Sequence, residues 1–198
     1  LVGRTLPSLS LDGGIWAEVT RFRVDIEFPL PTKEGQVQLP LAAAETLIAN
    51  ETGYAGELAG YTEVRWTPID ELTVIGGLRL HSWIGAHDSV ALDPRLTVHA
   101  DLLETTRLTF AAGINHQAPT PDEQSESFGN PELTPERGYY ASVGLKQEIG
   151  DYLKIDATGF FKYMEDLVTP IDAPGLPAYD NGATGYVVGG ELLVQLDT

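Results

Sequence analysis

His81, His99, Arg79 and Arg95 are the side chains whose spacing best suits joint chemistry. Each shares a face with a partner, Arg79 with His81 two residues on and Arg95 with His99 four residues on across Thr97. An extended chain turns such positions to one face. A metal centre is a poor reading of the imidazoles. The four histidines, His81, His87, His99 and His116, show neither a His-x-His nor a His-Glu-x-x-His spacing. With no cysteine in the chain, thiolate ligation and disulfides are excluded. Carboxylates are abundant, 29 in all, and glycoside hydrolysis needs two of them about 5 to 10 Å apart, one with a raised pKa. Asp156 and Glu191 project from polar faces of their segments, yet nothing distinguishes them from the other acids. No Gly-x-Ser-x-Gly elbow, P-loop or dinucleotide fingerprint occurs. The inventory therefore points to binding without catalysis and calls for no cofactor.

The elements that must position these groups alternate with period two. From Leu153 to Leu167, Leu153, Ile155, Ala157, Gly159, Phe161 and Tyr163 oppose Lys154, Asp156, Thr158, Phe160, Lys162 and Met164. The same division recurs in Glu71 to Trp83, in Arg95 to Leu102, in Arg107 to Gln117, in Tyr139 to Ile149 and in Tyr186 to Asp197. Gly56 to Thr67 sets Leu58, Gly60, Thr62, Val64 and Trp66 against Glu57, Tyr61, Glu63 and Arg65, and Thr20 to Leu30 sets Phe22, Val24, Ile26 and Phe28 against Arg21, Arg23, Asp25 and Glu27. Residues 1–14 are too irregular to place. Turns at Pro68 to Asp70, Leu103 to Thr105 and Gly150 to Tyr152 are very short, whereas His87 to Asp93, Ala118 to Gly138, Val168 to Gly185 and residues 31–54 read as long connections. Short connections at one end and long ones at the other define an antiparallel up-and-down transmembrane β-barrel segment, all-β and of about eight strands. Trp66, Trp83, Tyr139, Tyr140, Tyr152 and Tyr186 fall near strand ends, as interfacial girdles require.

Composition agrees. Glycine (21) and proline (13) are plentiful and disfavour helices, the only short candidate being Leu41 to Ala49. A formal net charge of −17 excludes nucleic acid as a natural partner, since phosphate binding needs clustered Lys and Arg. No run of about 18 apolar residues is present, which excludes a spanning helix and leaves a barrel untouched.

Several landmarks occur in fixed order: Gly77-Leu78-Arg79, Asp93-Pro94-Arg95-Leu96, Ala118-Pro119-Thr120, the loop run Gly129-Asn130-Pro131-Glu132-Leu133-Thr134-Pro135-Glu136, Phe160-Phe161-Lys162-Tyr163 with Glu165-Asp166-Leu167-Val168, and Asn181-Gly182 before Gly189-Gly190-Glu191-Leu192. Through them the chain resembles the C-terminal barrel of TonB-dependent outer-membrane receptors. The resemblance implies a bacterial outer-membrane location, contact with lipid, coupling to TonB through an N-terminal region not recognisable here, and uptake of a scarce nutrient such as a siderophore or other metal chelate. It implies substrate contacts from the outer loops and from Arg65, Arg79, His81, Arg95, His99, Asn115 and Gln117, which would line the lumen. The simpler role for these arginines and histidines is an ion-pair network with Asp101 and Glu63. Asn-Pro and Thr-Pro in the long loop favour extended or turn geometry, and Asn181-Gly182 suits positive φ.

Plugged transporter barrels have about 22 strands, so residues 1–198 are expected to be part of a single barrel domain, an incomplete barrel without its plug. The alternative is a complete small β-barrel or β-sandwich acting as a binding or adhesion module, in which strands near Thr20 and Tyr186 pair to close the structure.

Overall fold

The computed structural model describes residues 8–29, 46–85, 88–127, 129–171 and 179–196. Eight strands follow one another: β1 (Ser8–Pro29), β2 (Thr46–Ile69), β3 (Leu72–Ile84), β4 (Ser89–Leu103), β5 (Thr106–Gln117), β6 (Glu136–Ile149), β7 (Leu153–Pro170) and β8 (Tyr179–Leu196). Each pairs antiparallel with the next, giving one eight-stranded sheet in the order β1 to β8. Among the described residues β1 and β8 do not pair and no second layer covers either face, so neither the closed small barrel nor the sandwich is present.

Paired residues of an antiparallel ladder point to the same side, so the register defines two faces. One carries Leu9, Leu11, Ile15 and Val19 of β1, Leu58 and Val64 of β2, Leu78 and Leu80 of β3, Phe110 of β5, Val143 of β6, Phe161 of β7 and Val188 and Leu192 of β8. These side chains are exposed, Ile15 to 86%. Among the described residues the buried apolar side chains are only Ala59, Ala91 and Leu133. A sheet with so little core and so much exposed apolar surface is stable only if that surface meets something apolar.

Short turns join the strands at one end. They are residues 70–71, 104–105 and 150–152, and the first two are tied to neighbouring strands by Asp101 N–H to Glu71 C=O (2.8 Å) and Glu148 N–H to Thr105 C=O (2.8 Å). Gly150 supplies the positive φ (57°) of the third.

The strands are longer than the sequence pattern predicts. β1 begins at Ser8, inside the stretch expected to be unplaceable, because Leu9, Leu11, Ile15 and Val19 alternate with Ser10, Asp12, Gly14 and Glu18. The expected excursion over 31–54 is in its described part the first half of β2, and so are residues 46–49 of the expected helix; residues 30–45 lie outside the described residues. The predicted connection at His87 to Asp93 is mostly strand, since β4 starts at Ser89, and only residues 85–88 link β3 to β4. Likewise β7 runs on to Pro170 and β8 starts at Tyr179. At residues 50–54 polar and turn-forming residues occupy strand positions, whereas at Ser89 to Asp93 the apolar row itself continues, with Val90 opposite Ser82 and Leu92 opposite Leu80.

Asp166 is the one described non-glycine residue with positive φ (57°). It sits where the β7–β8 register shifts between Met164 and Leu167, so it forms an irregularity that lets Glu165 and Asp166 leave the regular ladder. Asn181 and Gly182, expected to carry positive φ, do not; Asn181 lies within β8 and works through its side chain, as described below. Replacement of Asp166 by valine is expected to destabilise the full-length protein by about 1–2 kcal/mol, with Asp166→Gly near neutral. Urea unfolding in detergent, comparing the two variants, measures the difference.

Candidate functional site

The second face of the sheet is the polar one, and register places its groups in rows. One row runs Asp12, Glu63, Gly77, Arg95, Gly113, Tyr140, Lys162, Val187 from β1 to β8. Neighbouring rows contain Tyr61, Arg79 and Asp93, then Trp16, Ala59, His81 and Ala91, and, towards the short turns, Thr73, His99 and Thr109.

Glycine is what allows side chains in these rows to reach across strands. A Cβ at Gly77 would lie 2.5 Å from Arg95 Nε. Without one, Arg95 crosses β3 and donates from Nη2 to Glu63 Oε2 at 3.0 Å, two strands away. Tyr140 lies over Gly113 in the same manner, its hydroxyl 2.7 Å from where a Cβ would be, and Tyr61 lies over Gly14. Phe22 over Gly53 and Phe160 over Gly189 repeat the arrangement. All five are directly opposed pairs, large against glycine, a device that fills the pleat without adding bulk. Alternation alone shows Gly77 and Gly113 only as members of the polar face; the partner across the ladder gives them their role.

The seven residues expected to contact substrate all lie on this face, and most are already engaged. Arg79 Nη2 donates to Glu57 Oε1 (3.2 Å), while its buried Nε has no partner. His81, 8% exposed, lies between Glu57 Oε1 (Nδ1, 2.7 Å) and Asp93 Oδ2 (Nε2, 3.1 Å), and its ring stacks on Trp83 at 4.9 Å and 12°. His99 Nδ1 meets Thr109 Oγ1 at 3.0 Å. Arg65, Asn115 and Gln117 are exposed on that face, Arg65 opposite Ile75, Asn115 opposite Gly138 and Gln117 opposite Glu136. The expected ion-pair network is present in part. Glu63 pairs with Arg95, but Asp101 pairs with Arg107 (2.6 Å) and not with the histidines, because Arg107 stands directly opposite it at the β4–β5 turn. Among the described residues no group of three or more His, Asp and Glu side chains is arranged to hold a metal ion. His87 lies outside the described residues.

At the end opposite the short turns, the described residues of the connection 118–135 fold into a compact strap. Backbone bonds close it on itself, Gly129 N–H to Ser125 C=O at 2.8 Å and Asn130 N–H to Glu123 C=O at 2.7 Å, with Leu133 buried beneath. On one side the Glu51 carboxylate of β2 accepts from Ser125 Oγ (2.9 Å) and from Ser127 N–H (2.7 Å). On the other, Asn130 Nδ2 donates to Tyr179 C=O (2.8 Å), and Asn181 accepts from Thr134 N–H (2.9 Å) while donating to Thr134 C=O (3.0 Å) and Asp166 C=O (2.7 Å). The strap therefore ties β2 to β8 over the intervening strands, and a cleft of about 470 Å³ lined by Phe22, Glu51, Tyr54, Gln124 and Glu126 opens beside it. Glu51 stands well beyond Leu58, where the apolar row of β2 ends. Burial pushes its carboxyl up, but the hydrogen bonds from Ser127 and Ser125 outweigh this and hold it below the usual carboxylate range.

The model of the family described as TonB dependent receptor-like, beta-barrel, matches residues 8–197. No curated protein sequence matches the chain. Similar solved structures include the copper transporter OprC (TM-score 0.68, 16% identity, covering 94% of this chain and 33% of that one). The siderophore receptor PirA from Acinetobacter baumannii is similar at TM-score 0.68 and 14% identity, over 96% of this chain and 35% of that one. The ferric-catecholate import receptor Fiu from E. coli K12 follows at TM-score 0.59 and 15% identity, over 94% and 32%. The chain spans 24% to 37% of the length of the solved structures it resembles.

Two outcomes follow from this geometry. Gly77→Ala is expected to displace Arg95 from Glu63 and to cost about 1 kcal/mol. Gly76→Ala, where a Cβ meets nothing within 4 Å, changes stability by less than about 0.5 kcal/mol; paired denaturation curves of the full-length protein decide it. Glu51→Ala is expected to speed proteolysis within residues 118–135. Because the folded-state pKa of Glu51 is lowered, its contribution is present above the usual carboxylate range and is lost as pH falls through the lowered value. Acidification should therefore reproduce the variant's cleavage pattern in the wild-type protein.

Proposed function

The chain belongs to the TonB-dependent receptor-like β-barrel family, and on that premise we propose that it forms part of the barrel wall of a bacterial outer-membrane receptor for a scarce nutrient, a siderophore or other metal chelate. What carries this reading is one sheet with two chemically opposite faces: a continuous exposed apolar face on one side and rows of charged and hydrogen-bonding groups on the other. The apolar face suits the hydrocarbon of an outer membrane, and the polar face suits a lumen. Copper, ferric catecholate and siderophore in the names of OprC, Fiu and PirA give the ligand class its direction.

In this reading residues 1–198 are one stretch of a single barrel domain, the plug lies elsewhere in the parent protein, and energy arrives through TonB acting on that plug. Substrate entering from the strap side meets the exposed Asn115 and Gln117 first, and the exposed Arg65, nearer the short turns, further in. Arg79, His81, Arg95 and His99 are held by their neighbours and contribute field and shape more than direct donation. A ferric chelate bearing acidic groups is drawn to the arginines, while the strap and its cleft set what approaches from outside.

Uptake of a radiolabelled ferric catecholate by cells carrying the full-length protein tests the proposal, with TonB present or deleted. At least a tenfold fall without TonB is expected; uptake indifferent to TonB contradicts the reading. Placing arginine at Leu78 or Val143 should destabilise the bilayer-embedded protein by about 2–4 kcal/mol.

A further inference from the structure

Cations on the polar face are mostly matched. Arg79, Arg95, Arg107 and Lys146 meet Glu57, Glu63, Asp101 and Glu148 within 3.2 Å. With 29 carboxylates for 12 lysines and arginines in the chain, acid is not scarce. Lys162 of β7 departs from this pattern. It is partly buried, and among the described residues it has no carboxylate or other hydrogen-bond acceptor as a partner. Arg65 also lacks one, but it is exposed and stays hydrated. Holding an ammonium partly out of water without a counter-charge is unfavourable, so the position of Lys162 favours an anion.

Its neighbours are donors, and a glycine brings them together. Gly138 of β6, itself buried, stands between Asn115 of β5 and Met164 of β7, one step along the face from Lys162. A Cβ at Gly138 would lie 3.3 Å from Lys162 Cε, 3.0 Å from Asn115 Oδ1 and 3.3 Å from Asn115 Nδ2. Lys162 therefore leans across β6, and its ammonium end and the Asn115 amide approach one point from opposite strands.

Tyr140 completes the group. It stands directly opposite Lys162 but is laid the other way, over Gly113, so its hydroxyl sits above β5, on which Gly113 and Asn115 are alternate residues of one face. Among the described residues neither the Asn115 amide nor the Tyr140 hydroxyl has a hydrogen-bond partner. Three unengaged polar groups thus surround one patch of the β5–β6 ladder, below the strap that begins after Gln117.

Building on the receptor reading above, we propose that Lys162, Asn115 and Tyr140 form an oxyanion subsite on the lumen wall that takes one carboxylate group of an incoming metal chelate. The ammonium supplies the charge and N–H donors, Asn115 an amide N–H and Tyr140 an O–H, while a carboxylate offers two oxygens that only accept. One cation with two neutral donors matches one negative charge. Phosphate carries nearly two and is better served by a forked guanidinium. Among the described residues none is turned to this patch, since Arg95 of the same row leans away over Gly77 to Glu63. A chelate without free carboxylates gains nothing here.

Binding of iron(III) citrate to the full-length protein in detergent, followed by tryptophan fluorescence, tests the subsite. Lys162→Met is expected to weaken binding about tenfold, and Lys162→Arg less than about threefold. Gly138→Val keeps the charge but fills the space over which Lys162 leans, and should also weaken binding about tenfold. An unchanged thermal midpoint shows that a variant's wall is intact. Inorganic phosphate is expected not to compete. Binding by Lys162→Met at wild-type strength, displacement by phosphate, or no binding of iron(III) citrate by the wild-type protein would overturn the proposal. TonB-dependent uptake of the ferric catecholate tests the receptor reading separately: if that uptake persists beside any of these results, the subsite alone fails.

Discussion

Main-chain hydrogen bonding along seven consecutive antiparallel ladders is the constraint on which the rest of this chain depends. A sheet one layer thick has no interior in which to hide, so each N–H and C=O must find its partner in the adjacent strand. In hydrocarbon the requirement is absolute, and only helices and closed barrels satisfy it. The outer edges of β1 and β8 must therefore be covered by further strands when the sheet lies in a bilayer. The unusual distribution of the described residues follows: exposed leucine, valine and phenylalanine on one side, ion pairs on the other, and almost no core between them.

With the ladders fixed, side chains on the polar face are left to interact in the plane of the wall. Large residues opposed to glycine lie flat across the neighbouring strand, which lets Arg95 reach Glu63 over Gly77. Where Pro94 interrupts the main-chain pattern, Asp93 and two histidines bridge the gap. The long connection 118–135 obeys the same logic at the rim, held by the Glu51 carboxylate on one side and the Asn181 amide on the other. Bonds of this kind draw their strength from partial enclosure, and they confer specificity of shape on a wall whose stability comes from elsewhere.

Most of the fold was legible in the sequence because a two-sided sheet writes its environment into every second residue. The alternation at Leu153 to Tyr163 and at Leu72 to Leu80 gave strand, face and order. It failed at residues 50–54, where neither face is consistently apolar and the pattern dissolves, and at Ser89 to Asp93, where Val90 and Leu92 do alternate with Ser89, Ala91 and Asp93 but the run is too short to tell from a connection. The seven candidate contacts share the polar face for the same reason. Their partners were not foreseeable: that Asp101 takes Arg107, that Asp93 joins His81 to His116, or that Glu51 holds Ser125 depends on registers and on contacts between residues far apart in the chain. Asn181-Gly182 shows the limit plainly. Its composition suggests a turn, yet Asn181 lies in a strand and acts as a side-chain bridge to the strap.

The central claim is that this one sheet separates two solvents. Single spin labels placed in turn at Leu78, Arg79, Leu80 and His81 of the full-length protein in lipid bilayers, read by their accessibility to oxygen and to a water-soluble nickel chelate, address it most directly. Oxygen accessibility is expected to be high at Leu78 and Leu80 and low at Arg79 and His81, with the chelate showing the opposite preference. Accessibilities without this period of two, or chelate contact at Leu78 and Leu80, would contradict it.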